Sequence, residues 1–552
     1  MLYPFLQTLA SVAATLIWVG FAEDLQPQPS PWRLLACGGL ALSPLGLGRL
    51  WRLCWGHPSA RRRSALALRS LVVSPFVVQM VSIGALSWAA VLAGLGLHRL
   101  ALLREILLLA PYLLAAACVD IAVEREWAWR LGRAARSWRA ALARLRRECL
   151  VLVPLLVFVG ADSLLRVEGI AGYVGHIPAL SWLLVLALLA ALALLFPFLL
   201  RWSLAWGPLP AGSPVRAAVK ATLEELRFSC RDVLLWRTGG LVANAAIVGL
   251  TARLRYIVLT DVLVARLQPQ ELRVVLAHEI GHGKNHHAKL FLAFLAACLL
   301  LLREVDGWVS ERLIPLDGPA GLGSELAVIG IWLVGFLAGF GVVFGLLSRR
   351  FELEADLCAV EAGGGAESFV RALERVSELA RVRRTKRSWR HFSPGERATF
   401  VTSAFAPAGD AFRRRFRQRQ RRLRLAIALV FGVALVLFAR SMAAATLVGL
   451  GALALEQGRA ADAACLVEKG LRLGGSHAAA LRLLLRAHRE REGPSALLED
   501  LERFLPPEGF SGPAGRDFAC YLETLASDVA RDGHELESER ILAHARRLRS
   551  LF

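Results

Sequence analysis

Long uncharged apolar runs constrain this 552-residue chain more than any other feature of its sequence. A helix needs about 20 apolar residues to cross the hydrocarbon core of a bilayer. Four runs reach that length: Met1–Ala22, Leu71–Leu97, Pro178–Leu200 and Leu326–Leu347. Five shorter or polar-interrupted runs fit either further crossings or buried helices: Leu34–Gly48, Ile106–Val123, Leu150–Leu165, Leu290–Leu302 and Leu425–Ala439. We therefore predict a mainly α-helical, polytopic protein embedded in a lipid bilayer.

The net charge of +21 is concentrated beside these apolar runs. Because the basic residues form no recognisable nucleic-acid-binding motif, we predict no nucleic-acid partner. Basic segments next to spans usually face the cytoplasm, which places Arg201–Lys289 and Arg349–Arg424 on that side. The composition, rich in Ala, Leu and Arg, favours a bacterial cytoplasmic membrane. The nine cysteines stand singly, which argues against both a disulfide framework and a thiolate metal site.

One polar stretch carries the pattern of a metal site, the motif H-E-I-G-H that begins at His278. Pro269 suits the first turn of a helix and Glu271 complements its positive N-terminus, so the motif is predicted to be helical. In a helix His278 and His282 project from one face, where both imidazoles can bind one tetrahedral Zn²⁺. Glu279 lies beside them, where it can take a proton from the attacking water and later deliver it to the leaving amine.

A third ligand is needed, because three fixed residues also occur together by chance. The segment S-R-R-F-E-L-E-A-D supplies one directly after an apolar run, with Glu352 and Asp356 four residues apart on a predicted helix. Glu352 would bind the metal, and Asp356 would hydrogen-bond a ligand imidazole. Two histidines and one carboxylate leave the fourth position open, as a catalytic zinc requires. The alternative is a surface acidic helix that pairs with Arg349 and Arg350.

These linked motifs resemble the membrane zinc endopeptidase family of the CaaX prenyl proteases and the HtpX stress peptidases. Members share H-E-[IL]-[GS]-H, then a hydrophobic hairpin, then S-R-x-x-E-[FY]-x-A-D, and here Leu353 stands at the aromatic position. The resemblance covers Pro210–Arg424. It implies a gluzincin-like peptidase with one Zn²⁺ per chain and with protein or peptide substrates.

An upstream pair of short runs also resembles this family. Val242–Gly249 and Tyr256–Asp261 are apolar and contain β-branched residues, which predicts a β-hairpin. Its free edge could hold an extended peptide over the zinc by strand addition. Asn244 is then a candidate contact to the substrate backbone, although a turn or strand-end role fits it equally well.

Histidines outside the metal motif are harder to assign. His391 and Arg397 lie in H-F-S-P-G-E-R, which resembles the H-P-x-x-x-E-R element of the prenyl proteases, with Phe392 in place of proline. The resemblance implies that both stabilise the oxyanion, whereas the alternative is a loop histidine in a basic segment. His286 lies one further turn along the same face of the predicted metal helix, so it could support a metal ligand without binding the metal. We expect His286 and His287 to be polar anchors near the membrane interface, because catalytic zinc rarely has more than three protein ligands.

The last part of the chain, Ala443–Phe552, has an amphipathic helical pattern. The spacings of Gly458, Gly493 and Gly533 lie near the period of tetratricopeptide helix pairs, although a simple helical bundle fits equally well. Such a domain would offer a surface for a protein partner. Two alternatives to a plain peptidase follow: a sensor-transducer peptidase gated by this domain, and a non-catalytic membrane scaffold. The scaffold should lack the general base, and Glu279 is present.

The predicted organisation is a polytopic helical membrane protein with a split gluzincin-like core, a small β-hairpin and a C-terminal helical domain. Its parts are a transmembrane region of about six spans (1–200), the first half of the peptidase domain (201–289), a transmembrane hairpin (290–347), the second half (348–424), a last span (425–440) and the C-terminal domain (441–552). The split places both halves of the zinc site at the membrane surface. We therefore predict a membrane-bound zinc metalloendopeptidase that cleaves membrane-associated or misfolded proteins.

Overall fold

A computed structural model describes most of the chain. The described residues are 7–8, 10–12, 15, 31–54, 61–96, 101–130, 132, 134–165, 177–240, 242–313, 330, 334–335, 338–474, 477–490, 494–506, 509–510 and 512–551. Gly493, most of the predicted crossing Met1–Ala22 and part of Leu326–Leu347 lie outside them. The chain divides into two compact units, residues 1–167 with 185–207 and residues 168–184 with 208–552.

The described part of the N-terminal region is mainly helical. Its helices are α1 (Pro31–Cys54), α2 (Arg61–Ile83), α3 (Trp88–Gly94), α4 (Ala101–Leu108), α5 (Ala110–Arg130), α6 (Ser137–Leu165) and α7 (Pro178–Ser203). Buried polar groups join these apolar helices. Gln79 of α2 donates to the carbonyl of Leu108 at 3.0 Å and accepts from the backbone N–H of Tyr112 at 3.1 Å. Such bonds specify helix pairing where apolar surface alone is unselective.

Two of the described helices are long and apolar enough to cross a membrane, Ala179–Ser203 and Gly409–Glu456. The segments Ser70–Ile83 and Trp88–Gly94 add a third crossing if they form one span bent by 57°. These helices contain the predicted runs Pro178–Leu200 and Leu425–Ala439 and most of Leu71–Leu97. They support an integral membrane protein, while the other predicted crossings stay predictions.

A four-stranded mixed sheet follows the N-terminal region. Its strands are β1 (Gly207–Pro208), β2 (Asp232–Trp236), β3 (Ala245–Val248) and β4 (Tyr256–Thr260), in the spatial order β1-β2-β4-β3. β2 runs parallel to β4, and β3 runs antiparallel to it. The predicted hairpin is therefore confirmed as β3 and β4, but the sequence analysis missed β2. β4 is buried throughout, whereas β3 lies at an edge of the sheet.

Helices before and after the β3–β4 hairpin complete the region that contains the predicted metal motif. They are α8 (Pro214–Glu225), α9 (Asp261–Arg266), α10 (Pro269–Lys284), α11 (His287–Leu313), a π-helical turn (Gly339–Val343), α12 (Phe344–Gly363), α13 (Ala366–Leu379) and α14 (Pro394–Ala404). α10 begins as predicted, since the Glu271 carboxylate accepts from the backbone N–H of Gln268 at 2.9 Å. Val274 and Ala277 of α10 share a buried cluster with Val360 of α12 and Phe369 of α13. This cluster fixes α10 against the second half of the predicted peptidase domain.

The C-terminal region is built from helices around its own core. They are α15 (Gly409–Glu456), α16 (Ala460–Gly474), α17 (Ala478–Arg489), α18 (Pro494–Phe504), α19 (Gly512–Arg531) and α20 (Glu535–Arg549). Leu481, Leu484, Phe518 and Ile541 are fully buried in that core. The helical pattern is confirmed, and the tetratricopeptide resemblance stays a prediction. The predicted boundary at residues 440/441 falls inside α15, because this 48-residue helix is continuous.

Candidate metal centre

Close packing of α10 on α12 brings the two halves of the predicted site together. Gly281 of α10 makes this approach possible, because a Cβ built on it would lie 3.1 Å from the Ala355 Cα and 3.0 Å from the Cys358 Cβ. His278 and His282 lie on the same side of α10, and Glu352 lies on the adjoining turn of α12. The helices thus join residues that are about 70 positions apart in the sequence.

His278, His282 and Glu352 form a compact group of donor atoms that could hold a metal ion. The two histidine Nε2 atoms are 3.2 Å apart. Glu352 Oε2 lies 3.7 Å from His278 Nε2, and Glu352 Oε1 lies 3.6 Å from His282 Nε2. In a tetrahedral zinc site with bonds of about 2.0–2.1 Å, neighbouring donor atoms are about 3.4 Å apart. The three side chains therefore match the size and the donor set of a zinc site with one position left open.

The protonation states of His282 and Glu352 suit metal binding, whereas for His278 burial lowers the pKa but Asp356 raises it above its usual value. Burial and the neighbouring His278 lower the pKa of His282 to about 3, which keeps its ring neutral. Burial alone would raise the pKa of Glu352, but the hydrogen bond with His391 and the Arg397 guanidinium hold it well below its usual range. Neutral imidazole and ionised carboxylate are the forms that bind zinc.

Asp356 lies behind His278, as the sequence analysis predicted. Its Oδ1 is 2.9 Å from His278 Nδ1. The other ring nitrogen, Nε2, is the one that faces His282. Arg397 holds Asp356 in turn, donating from Nε at 2.9 Å and from Nη2 at 2.5 Å. Burial would raise the pKa of Asp356, but Arg397 lowers it and keeps the carboxylate charged.

Glu279 faces the same space from the middle of the motif. Burial raises the pKa of Glu279 against the opposing effect of His278, and the backbone N–H of Ile247 donates a hydrogen bond to it. Glu352 and Asp356 belong to the same cluster, and the Arg397 guanidinium lies beside both of them. The cluster thus combines carboxylates with imidazoles, a donor set that suits a divalent zinc ion.

A cavity of about 520 Å³ opens over the donor atoms. The edge strand β3 lines one side of it with Ala245 and Ile247. Asn244 also borders the cavity, and its backbone is fixed to β4 because its carbonyl accepts from the N–H of Thr260 at 3.1 Å. Phe369 and Val376 also line the cavity. The cavity is thus bordered both by an edge strand of the sheet and by apolar side chains.

His391 and Arg397 both border this cavity. His391 Nδ1 lies 3.2 Å from Glu352 Oε2, and the ring is about half exposed. Its loop is anchored, since the Trp389 indole N–H donates to the carbonyl of Gly341 at 2.7 Å. Arg397 differs from the prediction in one respect: two of its three nitrogens bind Asp356, and Nη1 lies 3.8 Å from Glu352 Oε2. Only that nitrogen faces the site.

His287 belongs to the site, although the sequence analysis treated it as a polar anchor. His286 has a φ of 57°, so the chain turns sharply between α10 and α11. The turn leaves His286 exposed and buries His287, whose Nδ1 lies 2.8 Å from the Nδ1 of His282. The sequence analysis assumed that the metal helix continues past residue 284, whereas the left-handed turn places His287 beside His282.

Substituting Gly281 with valine should separate the two metal-binding helices. The branched side chain has no room beside Ala355, so we expect a loss of about 1–3 kcal/mol in the free energy of unfolding and weaker zinc binding. Gly432→Val is a matched control, because no atom lies within 4 Å of a Cβ built at that helical glycine. Thermal unfolding and zinc content of both variants test this, and equal behaviour of the two would contradict the close packing.

Comparison with known proteins finds a family that matches part of the chain. The profile of peptidase family M48 matches residues 215–453, somewhat less than half of the chain. The match supports the resemblance to membrane zinc endopeptidases. The M48 match contains the sheet from β2 onward, both metal-binding helices and most of α15, and it ends before the C-terminal helices α16–α20.

Several curated M48 relatives align with parts of the chain. A CAAX prenyl protease 1 homolog of Arabidopsis thaliana is 29% identical over 28% of this chain and 38% of its own length. Protease HtpX of Alcanivorax borkumensis is 28% identical over 25% of this chain and 48% of its own length. The chain thus spans less than half the length of these relatives. The crystal structure of S. mikatae Ste24p matches with a TM-score of 0.35 and 16% identity over 68% of this chain and 100% of its own, a likeness too low to establish a shared fold.

Proposed function

We propose that this protein is a membrane-bound zinc metalloendopeptidase that cleaves membrane-associated or misfolded proteins. The observation that supports this most strongly is the convergence of His278, His282 and Glu352 at donor separations of 3.2–3.7 Å beside Glu279. These three side chains would hold one zinc ion. When bound, that ion would supply a Lewis acid that polarises the attacking water and the scissile carbonyl.

Each remaining residue of the cavity has a role in this proposal. Glu279 takes the proton of the attacking water and passes it to the leaving amine, a task that its raised pKa suits. His391 and the free Nη1 of Arg397 stabilise the carbonyl oxygen as it becomes negative. Asp356 positions His278. The edge strand β3 aligns an extended peptide by strand addition, and Asn244 contacts the substrate backbone at the start of that strand.

We place the site on the cytoplasmic face of the membrane. Basic segments surround it, including the arginine-rich first third of α15 that leads directly into the apolar part of that helix. Such a distribution favours the cytoplasmic side. A cleft beside the membrane would receive peptide segments that emerge from the bilayer or from damaged membrane proteins.

Removing the metal should abolish proteolysis reversibly. We expect the purified full-length protein to cleave an unfolded chain such as reduced casein, to stop after treatment with a zinc chelator, and to recover with about one equivalent of zinc. Cleavage that continues at full rate in the metal-free protein would refute the proposal. The same casein fused to a membrane anchor tests the substrate class, because equal rates in liposomes for both forms would argue against membrane-associated substrates.

A further inference from the structure

The ligand His282 is held by a second histidine and not directly by a carboxylate. His282 Nε2 faces the other donor atoms, at 3.2 Å from His278 Nε2 and 3.6 Å from Glu352 Oε1. If this nitrogen binds zinc, the proton of the neutral ring must reside on Nδ1. Nδ1 lies 2.8 Å from the Nδ1 of His287, which must then accept the hydrogen bond.

The tautomer of His287 follows from the same reasoning. With Nδ1 as acceptor, its proton resides on Nε2, which lies 3.1 Å from Glu354 Oε2. An ionised carboxylate such as that of Glu354 accepts hydrogen bonds and donates none. The other oxygen of Glu354 accepts from Arg424. The chain of hydrogen bonds thus runs from the metal ligand through His287 and Glu354 to Arg424, an arginine of α15.

The His287 ring has little freedom to move. Its side chain is 2% exposed and stacks on Phe351 with ring centroids 4.3 Å apart and planes inclined by 4°. Arg424 also donates to the Asn285 side chain at 3.0 Å, and Asn285 donates to the carbonyl of Gly281 at 2.9 Å. The network thus closes around the junction of α10 and α11.

We infer that His287, fixed by Glu354 and Arg424, is a positioning residue that sets the tautomer and orientation of His282 for zinc binding. The inference rests on the proposed metal site. Outer partners of a ligand histidine commonly contribute 10–100-fold to metal affinity. Because Arg424 is on α15, the same contacts connect the metal site to the helix that continues into the C-terminal region.

Zinc affinity of two His287 variants tests this inference. A phenylalanine ring is close enough in shape to an imidazole to keep the stacking on Phe351, so His287→Phe removes only the hydrogen bonds, and its zinc Kd should rise about 10–100-fold. In His287→Gln the amide oxygen can accept from His282 and the amide N–H can donate to Glu354, so the Kd should stay within about threefold of wild type. The Kd is measured on full-length metal-free protein by competition with a chromophoric chelator.

The outcomes separate the inference from the proposed function. A His287→Phe variant with wild-type affinity, or equal losses in His287→Phe and His287→Gln, would overturn the positioning role. Wild-type protein that binds no zinc would instead refute the proposed function itself. Thermal unfolding of the metal-free variants checks folding. Should His287→Phe fail to fold, Glu354→Met is a second test. Its zinc Kd should rise at least about threefold, and an unchanged Kd would overturn the inference.

Discussion

Replacing Glu279 with glutamine should leave the metal in place and remove nearly all proteolysis. Glutamine has the shape of glutamate but cannot accept a proton from water at neutral pH, so cleavage should slow by about 100- to 10,000-fold. Glu279 is not one of the three donor residues, and His278, His282 and Glu352 remain to hold zinc. We expect one zinc per chain in both proteins by elemental analysis, with cleavage of an unfolded protein only by wild type.

A matched control distinguishes this loss from a general effect on the helix. Glu271 is also a glutamate of α10, but its carboxylate accepts from the N–H of Gln268 at the beginning of the helix. Glu271→Gln should retain zinc and most of the activity, with at most a small loss of stability at the cap. A Glu279→Gln protein that cleaves at the wild-type rate would eliminate the proposed general base. Zinc-loaded wild type that cleaves nothing would instead favour the non-catalytic scaffold.

The Glu352→Gln variant should lose zinc binding and activity together. It removes a charged metal donor and leaves two histidines. The loss in zinc affinity should therefore exceed roughly 100-fold, the largest loss common for residues that only support a metal ligand. The substitution also removes the negative charge that lies 3.8 Å from Arg397 Nη1 and 3.2 Å from His391 Nδ1. Metal titration of the metal-free protein measures the change.

Glu361→Gln is the control for Glu352→Gln. Glu361 belongs to the same helix, α12, but its side chain is 43% exposed and pairs with Arg417 at the surface. Exposed pairs of this kind contribute about 0–1 kcal/mol, so zinc binding should be unchanged. Wild-type affinity in Glu352→Gln would show that the third ligand was assigned wrongly.

Local periodicity was sufficient to predict the central part of the site. Residues four apart on a helix share a face, so His278 with His282, and Glu352 with Asp356, could be paired before any tertiary structure was known. The distance between the two pairs could not be derived in that way. It depends on α10 packing against α12, which requires the absence of a side chain at Gly281.

Tertiary contacts and local backbone geometry explain what the sequence analysis missed. His287 lies beside His282 because His286 adopts a left-handed conformation. No residue pattern predicts such a turn at a histidine. Arg397 binds Asp356 with two nitrogens and leaves the third at the cavity. This arrangement depends on where α14 packs. The continuous helix α15 was divided at residue 440 because its apolar run ends there, although backbone hydrogen bonding continues to Glu456.

Zinc K-edge X-ray absorption of the purified wild-type protein tests the central claim most directly. We predict one zinc per chain with two imidazole nitrogens and light oxygen donors at about 2.0–2.1 Å, and no sulfur at about 2.3 Å. The imidazole signal should disappear from zinc-treated protein that lacks both His278 and His282. A sulfur shell, or an unchanged spectrum in that double variant, would contradict the metal centre on which the proposed activity depends.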